Sequence, residues 1–450
     1  MKILHYFLGF PPYRTGGLTK FVTDLMEAQI DKGHDVMALW PGQMSALPHT
    51  VRIAGRKDVN GVRNYELLNP LPVSLDEGIN DFRAYTAPCD ASVYLAFLQE
   101  VRPDVIHFHT LMGLHKELVE AAGALAIRTV FTAHDYFGIC PKVTLYRSGR
   151  PCTDDHACAD CVQCNRHALS LQKVRLMQSP LYRGLKNSPV MRILRKQHRN
   201  AFFLTEENAE EPENAGASDR CSGEDYQRLR AYYKDMLQRM DVIHFNSELT
   251  AYVYQKYITP KSSRVITITH KNIADHRTAN AWTPEDKLRI TYLASTKPYK
   301  GFPVLQQALD ALWNSGRRDF VLHVYSDVVN PSPYMVVENQ GFHYEALSAI
   351  FAGTDVLVAP SLCYETFGFT VLEALSYGVP VIVSENVGAK CVMGQGGIVV
   401  PPGDAEALKD AIAGLDHSQQ MKMRNYIKQN VSIKTCENMV QEINDLYQGN

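Results

Sequence analysis

Two carboxylates stand eight residues apart in the stretch PSLCYETFGFTVLEALSYGVP, residues 360–380: Glu365 and Glu373. The apolar run before them, residues 355–361, reads as a strand, and a polar turn holds Glu365. Thr366-Phe367-Gly368 then opens a helical pattern that carries Glu373. On one helix the two carboxylates would point about 80° apart, at 100° per residue. With Glu365 in the turn they can instead hold different parts of one extended ligand. A helix N-terminus beyond the carboxyl end of a strand presents backbone N–H groups and a partial positive charge, which suits a diphosphate. Gly368 lets the backbone approach closely. On spacing alone, a plain strand–helix unit with a capping glutamate is the competing reading.

A second constellation is built of sulfur. Five of the ten cysteines (Cys140, Cys152, Cys158, Cys161 and Cys164) crowd into one segment, with His134, His156 and His167 nearby. In a reducing compartment such density favours a metal over disulfides. The two-residue spacers suit a soft tetrahedral ion such as structural zinc. Four ligands suffice, so one cysteine is spare; disulfides or uncommitted thiols, and an iron–sulfur cluster, are the other readings. Histidines end two strand-like runs: VIHFHT, where alternation puts His107 and His109 on one face, and VFTAH, which ends at His134.

The elements that must position these groups alternate between periods of two and 3.6. Strand-like runs at 3–10, 35–40, 105–110 and 128–134 are separated by helical patterns at 18–32, 93–100 and 114–126, the signature of a parallel sheet with crossover helices. A helical run at 224–239 and a strand at 241–247 follow. A second such unit starts near residue 287, with strands at 289–295, 320–326, 355–361 and 380–385. Between the two units the rhythm breaks. Residues 161–205 contain no Asp or Glu but nine Lys and Arg, and residues 206–225 hold eight acids. The reading is two doubly wound α/β domains: 1–268 with an insertion at about 138–225, then 269–430, and a terminal helix at 431–450 packing back on the first domain.

Composition narrows the function classes. A formal net charge of −2 gives no basic field for nucleic acid. No apolar stretch is long enough to span a bilayer. The opening MKILHYFLGFPP reads as a buried strand rather than a signal peptide. The expectation is a cytoplasmic protein, at most peripheral at the inner face of a membrane. The basic segment 166–199 interleaves leucines with its charges, a pattern that docks on anionic lipid; the competing reading is a solvated face paired with the acidic run.

Residues 360–381 resemble the Glu-x7-Glu motif of retaining family-4 glycosyltransferases, through Pro360, Ser361, Glu365, Phe367, Gly368, Leu372, Glu373, Ala374, Gly378, Pro380 and Val381. The resemblance implies the GT-B fold, two Rossmann-like domains facing across a cleft, and a nucleotide-sugar donor on the second. Glu365 would then contact sugar hydroxyls, Glu373 the ribose, and the N–H groups of Phe367 and Gly368 the diphosphate. PPYRTGGLTKFVTDL resembles the family's glycine loop, bringing Gly16 and Gly17 to the donor phosphate. VFTAHD makes His134 the candidate active-site histidine, and His109 is placed on the acceptor side of the cleft.

One departure stands out. Where the family commonly has Arg and Lys in G-R-x4-K-G, this chain reads ASTKPYKG: Lys300 and Gly301 match, but Ser295 replaces the arginine. Lys297 is the nearest substitute, as a point charge rather than a fork. Lys300, with Lys297 or Arg14 and the helix N-terminus, would neutralise the departing diphosphate, so no catalytic metal and no protein nucleophile is expected. The resemblance implies a glycan or lipid-linked acceptor. The alternatives are a nucleotide-sugar epimerase and a catalytically idle partner subunit.

Overall fold

The structure, a computed structural model, describes residues 1–45, 50–152, 157–185, 188, 191, 221–277, 285–339 and 341–449. Strands β1 (Lys2–Tyr6), β2 (Asp35–Pro41), β3 (Arg52–Val59), β4 (Val62–Leu68), β5 (Val105–Phe108) and β6 (Arg128–Ala133) belong to a first sheet. After a small hairpin, β7 (Tyr146–Arg147) and β8 (Arg150–Pro151), the sheet is completed by β9 (Val242–Phe245) and β10 (Ser263–Val265). Its order is β10-β9-β6-β5-β1-β2-β4-β3. All neighbours are parallel except β3, which runs antiparallel to β4 at the edge. Parallel strands joined by crossover helices are covered on both faces. Accordingly β5 and β9 are buried at every position, while the edge strand β3 is mostly exposed and polar.

The second sheet holds β11 (Leu288–Tyr292), β12 (Phe320–Val324), β13 (Met335–Val337), β14 (Val356–Ala359), β15 (Val381–Ser384) and β16 (Gly397–Val400). It is parallel throughout, in the order β13-β12-β11-β14-β15-β16. Two doubly wound domains are therefore present, as the alternating pattern required. The β3–β4 pair, β13 and the helix His417–Asn430 are elements the periodicity did not mark.

Register sets what meets at the sheet's carboxyl edge. Tyr6 pairs with Phe108 and Phe108 with Phe131. His109 and His134, just past those pairs, thus leave the sheet side by side. One step back, His5 pairs with His107. In the second domain β14 delivers the Pro360–Gly368 turn to the corresponding edge.

The two domains share apolar packing. Phe21 and Leu25 of the helix Gly17–Asp31 lie in one core with Val371 and Leu372 of the helix Phe369–Ser376 and with Met439, Ile443 and Tyr447 of the helix Cys436–Gln448. The terminal helix rests on the first domain, where Gln29 Nε2 donates to Asn444 Oδ1 at 3.2 Å. None of the described helices is long and apolar enough to cross a membrane.

Under the second sheet, Arg289 is held by Asp355 through a fork: Nη2 to Oδ1 at 2.9 Å and Nε to Oδ2 at 3.2 Å, with the Arg289 backbone N–H donating to Oδ2 at 2.7 Å. Both side chains are nearly sealed from solvent, at 10% and 3% exposure. Removing one member of such a pair strands a buried charge. Asp355→Ala should therefore destabilise the domain by about 3–5 kcal/mol in urea unfolding. Asp35→Ala, which breaks the exposed Arg63 pair, should cost less than about 1 kcal/mol.

Candidate active site

The turn after β14 carries the first carboxylate. Glu365 Oε1 lies 2.5 Å from Lys300 Nζ and accepts from Ser361 Oγ at 3.0 Å. Burial is the largest single influence on the Lys300 ammonium and would lower its pKa, but the charge and hydrogen bond of Glu365, with Cys363 and Asp76, together raise it above the ordinary lysine value. Lys300 is positioned by a tight turn in which Gly301 adopts φ 79°; a Cβ there would sit 1.9 Å from the Pro360 carbonyl oxygen, so only glycine fits. The fold thus presses the Lys-Gly turn of the first crossover against the strand end that leads to Glu365.

Glu373 sits on the helix Phe369–Ser376, which starts at Gly368 (φ 103°) and has no acidic residue in its first turn. Its side chain is buried, and Oε1 is 3.0 Å from His270 Nε2. Oε2 is sealed from solvent with no hydrogen-bond partner among the described residues. A buried carboxylate oxygen without a partner is costly unless a ligand donates to it. His270 escaped the sequence reading because it lies in an irregular segment between the domains with no periodic context.

The glycine loop meets this helix. The position of a Cβ on Gly17 is 3.5 Å from the Phe369 ring. Gly16 is the exposed N-cap of Gly17–Asp31, with φ 117°. Arg14, half-buried in the same loop, stacks its guanidinium 5.2 Å from Tyr13, and its Nε has no hydrogen-bond partner among the described residues. Phe367 is buried, its carbonyl accepting from Ala389 N at 2.7 Å. Ser295 is exposed and its carbonyl accepts from Tyr292 OH at 2.7 Å. Lys297, expected to supply the missing charge, reaches across to the first domain, where its Nζ is 2.5 Å from Asp76 Oδ2. That carboxyl is partly desolvated, yet Lys297 holds it below the ordinary range. Asp76 carried no motif and was not singled out by sequence.

His134 ends β6 and is partly buried, its carbonyl accepting from Thr366 Oγ1 at 3.0 Å. His109, expected on the acceptor side of the cleft, is 1% exposed and is hydrogen-bonded to His134 at 3.2 Å. The reason is register: both histidines follow paired strand ends, and the ring of Phe21 packs against both.

Behind His134 lies a polar network inside the sheet. His5, His107 and His109 offer nitrogens within 4.8 Å of one another, a spacing a metal could use. Every one of those nitrogens already has a hydrogen-bond partner, and the partners fix the protons. The Ile266 carbonyl can only accept, so His244 Nε2 donates to it at 2.8 Å. His244 Nδ1 then accepts from Thr132 Oγ1, which accepts from His107 Nε2, leaving His107 Nδ1 to accept from Tyr447 OH at 2.7 Å. Tyr447 therefore accepts from Gln29 Nε2 at 3.1 Å, which turns Gln29 Oε1 to His5 Nε2 at 2.8 Å. His5 Nδ1 accepts from His109 Nε2 at 3.0 Å, and His109 Nδ1 accepts from His134 Nε2 at 3.2 Å. With neutral rings, one carbonyl decides that His134 carries its proton on Nε2 and keeps a lone pair on Nδ1.

Family models match both domains: "Glycosyltransferase Family 4" over residues 15–169 and "Glycosyl transferases group 1" over residues 287–417. The D-inositol 3-phosphate glycosyltransferase of Corynebacterium urealyticum is 32% identical over 107 residues, 23% of this chain and 25% of that protein. The glycogen synthase of Opitutus terrae is 28% identical over 189 residues, 34% of this chain and 39% of that protein. These alignments span well under two thirds of either relative. Among solved structures, the trehalose-phosphate synthase of Burkholderia xenovorans aligns over all of both chains with a TM-score of 0.59 at 11% identity. Anabaena HepE in complex with UDP and glucose likewise aligns over all of both chains, with a TM-score of 0.56 at 13% identity.

The five rings His5, His107, His109, His134 and His244 are held neutral, all below the ordinary 6.5, because burial penalises the cation; His5 and His244 fall to about 4 and His134 to about 3. Unfolded histidines take up protons below 6.5, so this stability is complete above that pH and is lost as pH falls toward 4. Asp135, raised by burial to about 6, and Glu77, raised by burial and by Asp76 to about 7, oppose the trend by one proton each. Thermal melts from about pH 7.5 to about pH 5 should show a progressive fall in Tm, each histidine contributing up to about 1.4 kcal/mol per pH unit; a flat profile contradicts the neutral network. Each domain thus matches a glycosyltransferase family model, of the family 4 type in the first and the group 1 type in the second, and the chain as a whole has the GT-B fold.

Proposed function

We propose that the protein transfers a sugar, with retention, from a nucleotide-sugar donor to a glycan or lipid-linked acceptor in polysaccharide or glycolipid synthesis. The observation that carries this reading is the buried Glu373 carboxylate, on the helix Phe369–Ser376 whose Phe369 faces Gly17, with an Oε2 that has no hydrogen-bond partner among the described residues. Ribose hydroxyls are donors of the right kind to complete it. Lys300, with the Phe367–Gly368 backbone and Arg14, neutralises the departing diphosphate, and Lys297 joins them when it exchanges Asp76 for phosphate. That cationic set takes the place a divalent ion would otherwise fill. Glu365 retains its second oxygen for a sugar hydroxyl, and the His134 Nδ1 lone pair accepts from another. Arg14 fits this use, because its Nε lacks a partner among the described residues.

The reading is tested by thermal shift against a panel of nucleoside diphosphates and their sugars. One nucleotide family should stabilise the protein, by about 2.7 kcal/mol at a hundredfold excess over Kd. Glu373→Ala should abolish that shift. Glu365→Gln and Lys300→Ala should retain nucleotide binding but lower kcat by about 100-fold or more. EDTA should leave turnover unchanged. Failure of every nucleotide to bind favours the idle-subunit reading, and conversion of donor without acceptor favours the epimerase.

A second proposal concerns the acceptor. The helices Leu171–Met177 and Pro180–Leu185 expose Leu176, Met177, Leu181 and Leu185 at 58%, 41%, 68% and 51%. Lys173 and Arg175 flank them, and such a face fits an anionic membrane bearing a lipid-linked acceptor. Arg183 is a correction to this picture: it pairs with Glu66 at 2.9 Å and stacks on Tyr13 and Trp40, so it holds the segment to the domain. Lys186, Arg192, Arg195, Lys196 and Arg199, and the acidic run up to residue 220, lie outside the described residues, as does His156. Vesicles rich in phosphatidylglycerol should co-float the protein at low salt, and Leu181→Glu with Leu185→Glu should release it. Absence of flotation at low salt overturns the docking.

A further inference from the structure

The glycine loop is anchored through an aromatic ring. Within it, Arg14 N donates to the Phe10 carbonyl at 3.0 Å. Gly16 is exposed, with nothing within 4 Å of where a Cβ would stand. Tyr13 between them is wedged: its ring centroid lies 5.2 Å from that of Trp40. Gly9, at φ 115°, permits this packing, since a Cβ there would sit 3.1 Å from Tyr13 Cδ1 and 3.2 Å from Trp40 Cε3. Trp40 is itself fixed, its Nε1 donating to Asn64 Oδ1 at 2.8 Å.

The space around Tyr13 is closed from far along the chain. The Arg183 guanidinium lies 4.8 Å from the Tyr13 ring and 5.0 Å from the Trp40 ring. Glu66 aims it, accepting from Arg183 Nη1 at 2.9 Å while also accepting from Arg56 Nε at 2.6 Å. A planar guanidinium shared by two rings and a carboxylate restrains the ring it touches, as a flexible ammonium does not. Its helix, Pro180–Leu185, is seated by Gln178, whose carbonyl accepts from Met44 N at 3.0 Å and whose Oε1 accepts from Val73 N at 2.8 Å. Leu181 and Leu185 stand two residues either side of Arg183, about 200° around the helix axis, and both are exposed. One short helix therefore closes on the glycine loop with one side and offers apolar side chains to its surroundings with the other.

We propose that Arg183 is a positioning residue for the donor diphosphate, and that an anionic membrane seated on Leu181 and Leu185 tightens donor binding through it. The inference rests on the nucleotide-sugar reading above. Arg183 holds Tyr13, and Tyr13 holds the loop so that Arg14 and the Gly16–Gly17 backbone face the phosphates. The arginine itself does not touch the donor. A surface that binds the seated helix better than the unseated one raises the seated fraction. By linkage, the donor strengthens membrane binding by the same factor. Lys173 and Arg175 on the preceding helix give the surface its preference for anionic lipid.

The test is calorimetric titration of UDP, GDP, ADP, CDP and dTDP, and of their nucleosides, into the full chain. Each titration is run with and without vesicles rich in phosphatidylglycerol at low salt. The diphosphate that binds should lose about 10-fold in affinity in Arg183→Ala, the factor a partly desolvated cation–π contact supports, while its nucleoside loses nothing. Arg56 still pairs with Glu66 in that variant, so no buried charge is stranded. Tyr13→Ala should show the same loss, and the double variant no more than either single one, because both remove one contact. Arg183→Lys should recover only part of it. Vesicles should tighten the wild-type Kd about 5-fold or more and leave Arg183→Ala unchanged. Additive losses, equal losses for nucleoside and diphosphate, or a wild-type Kd indifferent to vesicles overturn the proposal. Failure of every diphosphate to bind the wild type overturns the donor reading beneath it instead. Where a variant fails to fold, the wild-type vesicle titration decides.

Discussion

The turn bearing Glu365 belongs to the second domain but is held by the first. Ser247 Oγ donates to the Thr366 carbonyl at 2.6 Å, Thr250 Oγ1 lies 2.8 Å from the same oxygen, and Thr366 Oγ1 donates to the His134 carbonyl. Each such bond contributes only about 1 kcal/mol net, yet together they fix a geometry. They bring the strand end with His134, the carboxylate of Glu365 and the start of the helix bearing Glu373 into one corner. Gly388 shows how tight the corner is, since a Cβ there would lie 2.3 Å from the Thr366 oxygen. The cleft is assembled by this contact, and the other groups arrive by being attached to the elements it joins.

The histidine network answers a different need. A parallel sheet buried on both faces would ordinarily be filled with apolar side chains. Here five imidazoles occupy its centre and its edge, joined by hydrogen bonds that use every ring nitrogen but His134 Nδ1 among the described residues, a costly arrangement to leave incomplete. Its direction is set at Ile266 and its end is His134, and it passes through Tyr447 of the terminal helix. That helix thereby influences the proton position on a cleft residue more than 300 residues away in sequence, as the separation of 340 between His107 and Tyr447 illustrates.

Much of this was legible in the chain. The two-domain fold could be read because most strands are apolar runs bounded by helical periodicity, and the candidate residues Lys300, Glu365 and His134 lie in the turns after strands, with Glu373 on the helix that follows one. What could not be read were the residues made important by long-range contact. His270 lies in an irregular segment, Asp76 in a short loop, and Tyr447 on a helix whose apolar face could have packed anywhere. The burial of His109 could not be read either: alternation gives the face of a strand but not the depth of its end. The polar β3 edge strand escaped because its exposed residues carry no buried face for a period-two signal.

The absent arginine at Ser295 acquires a physical meaning from Asp76. A bidentate arginine fixed in the donor domain would present its charge to a diphosphate whether or not the domains were together. Lys297 instead is shared between the domains, its charge balanced by Asp76 until an anion competes for it. On the proposed function, a donor diphosphate, which carries more negative charge than one carboxylate, would draw the lysine away and leave Asp76 beside Glu77 with the Tyr299 hydroxyl, 3.2 Å away, in place of a cation. Glu77 is already raised to about 7, by burial first and by Asp76 second. Relief comes by protonation of that acidic pair or by movement of the 75–79 loop away from the cleft. On the proposed function, donor binding would in this way be coupled to the first domain through one lysine, a coupling that an arginine at residue 295 would not produce.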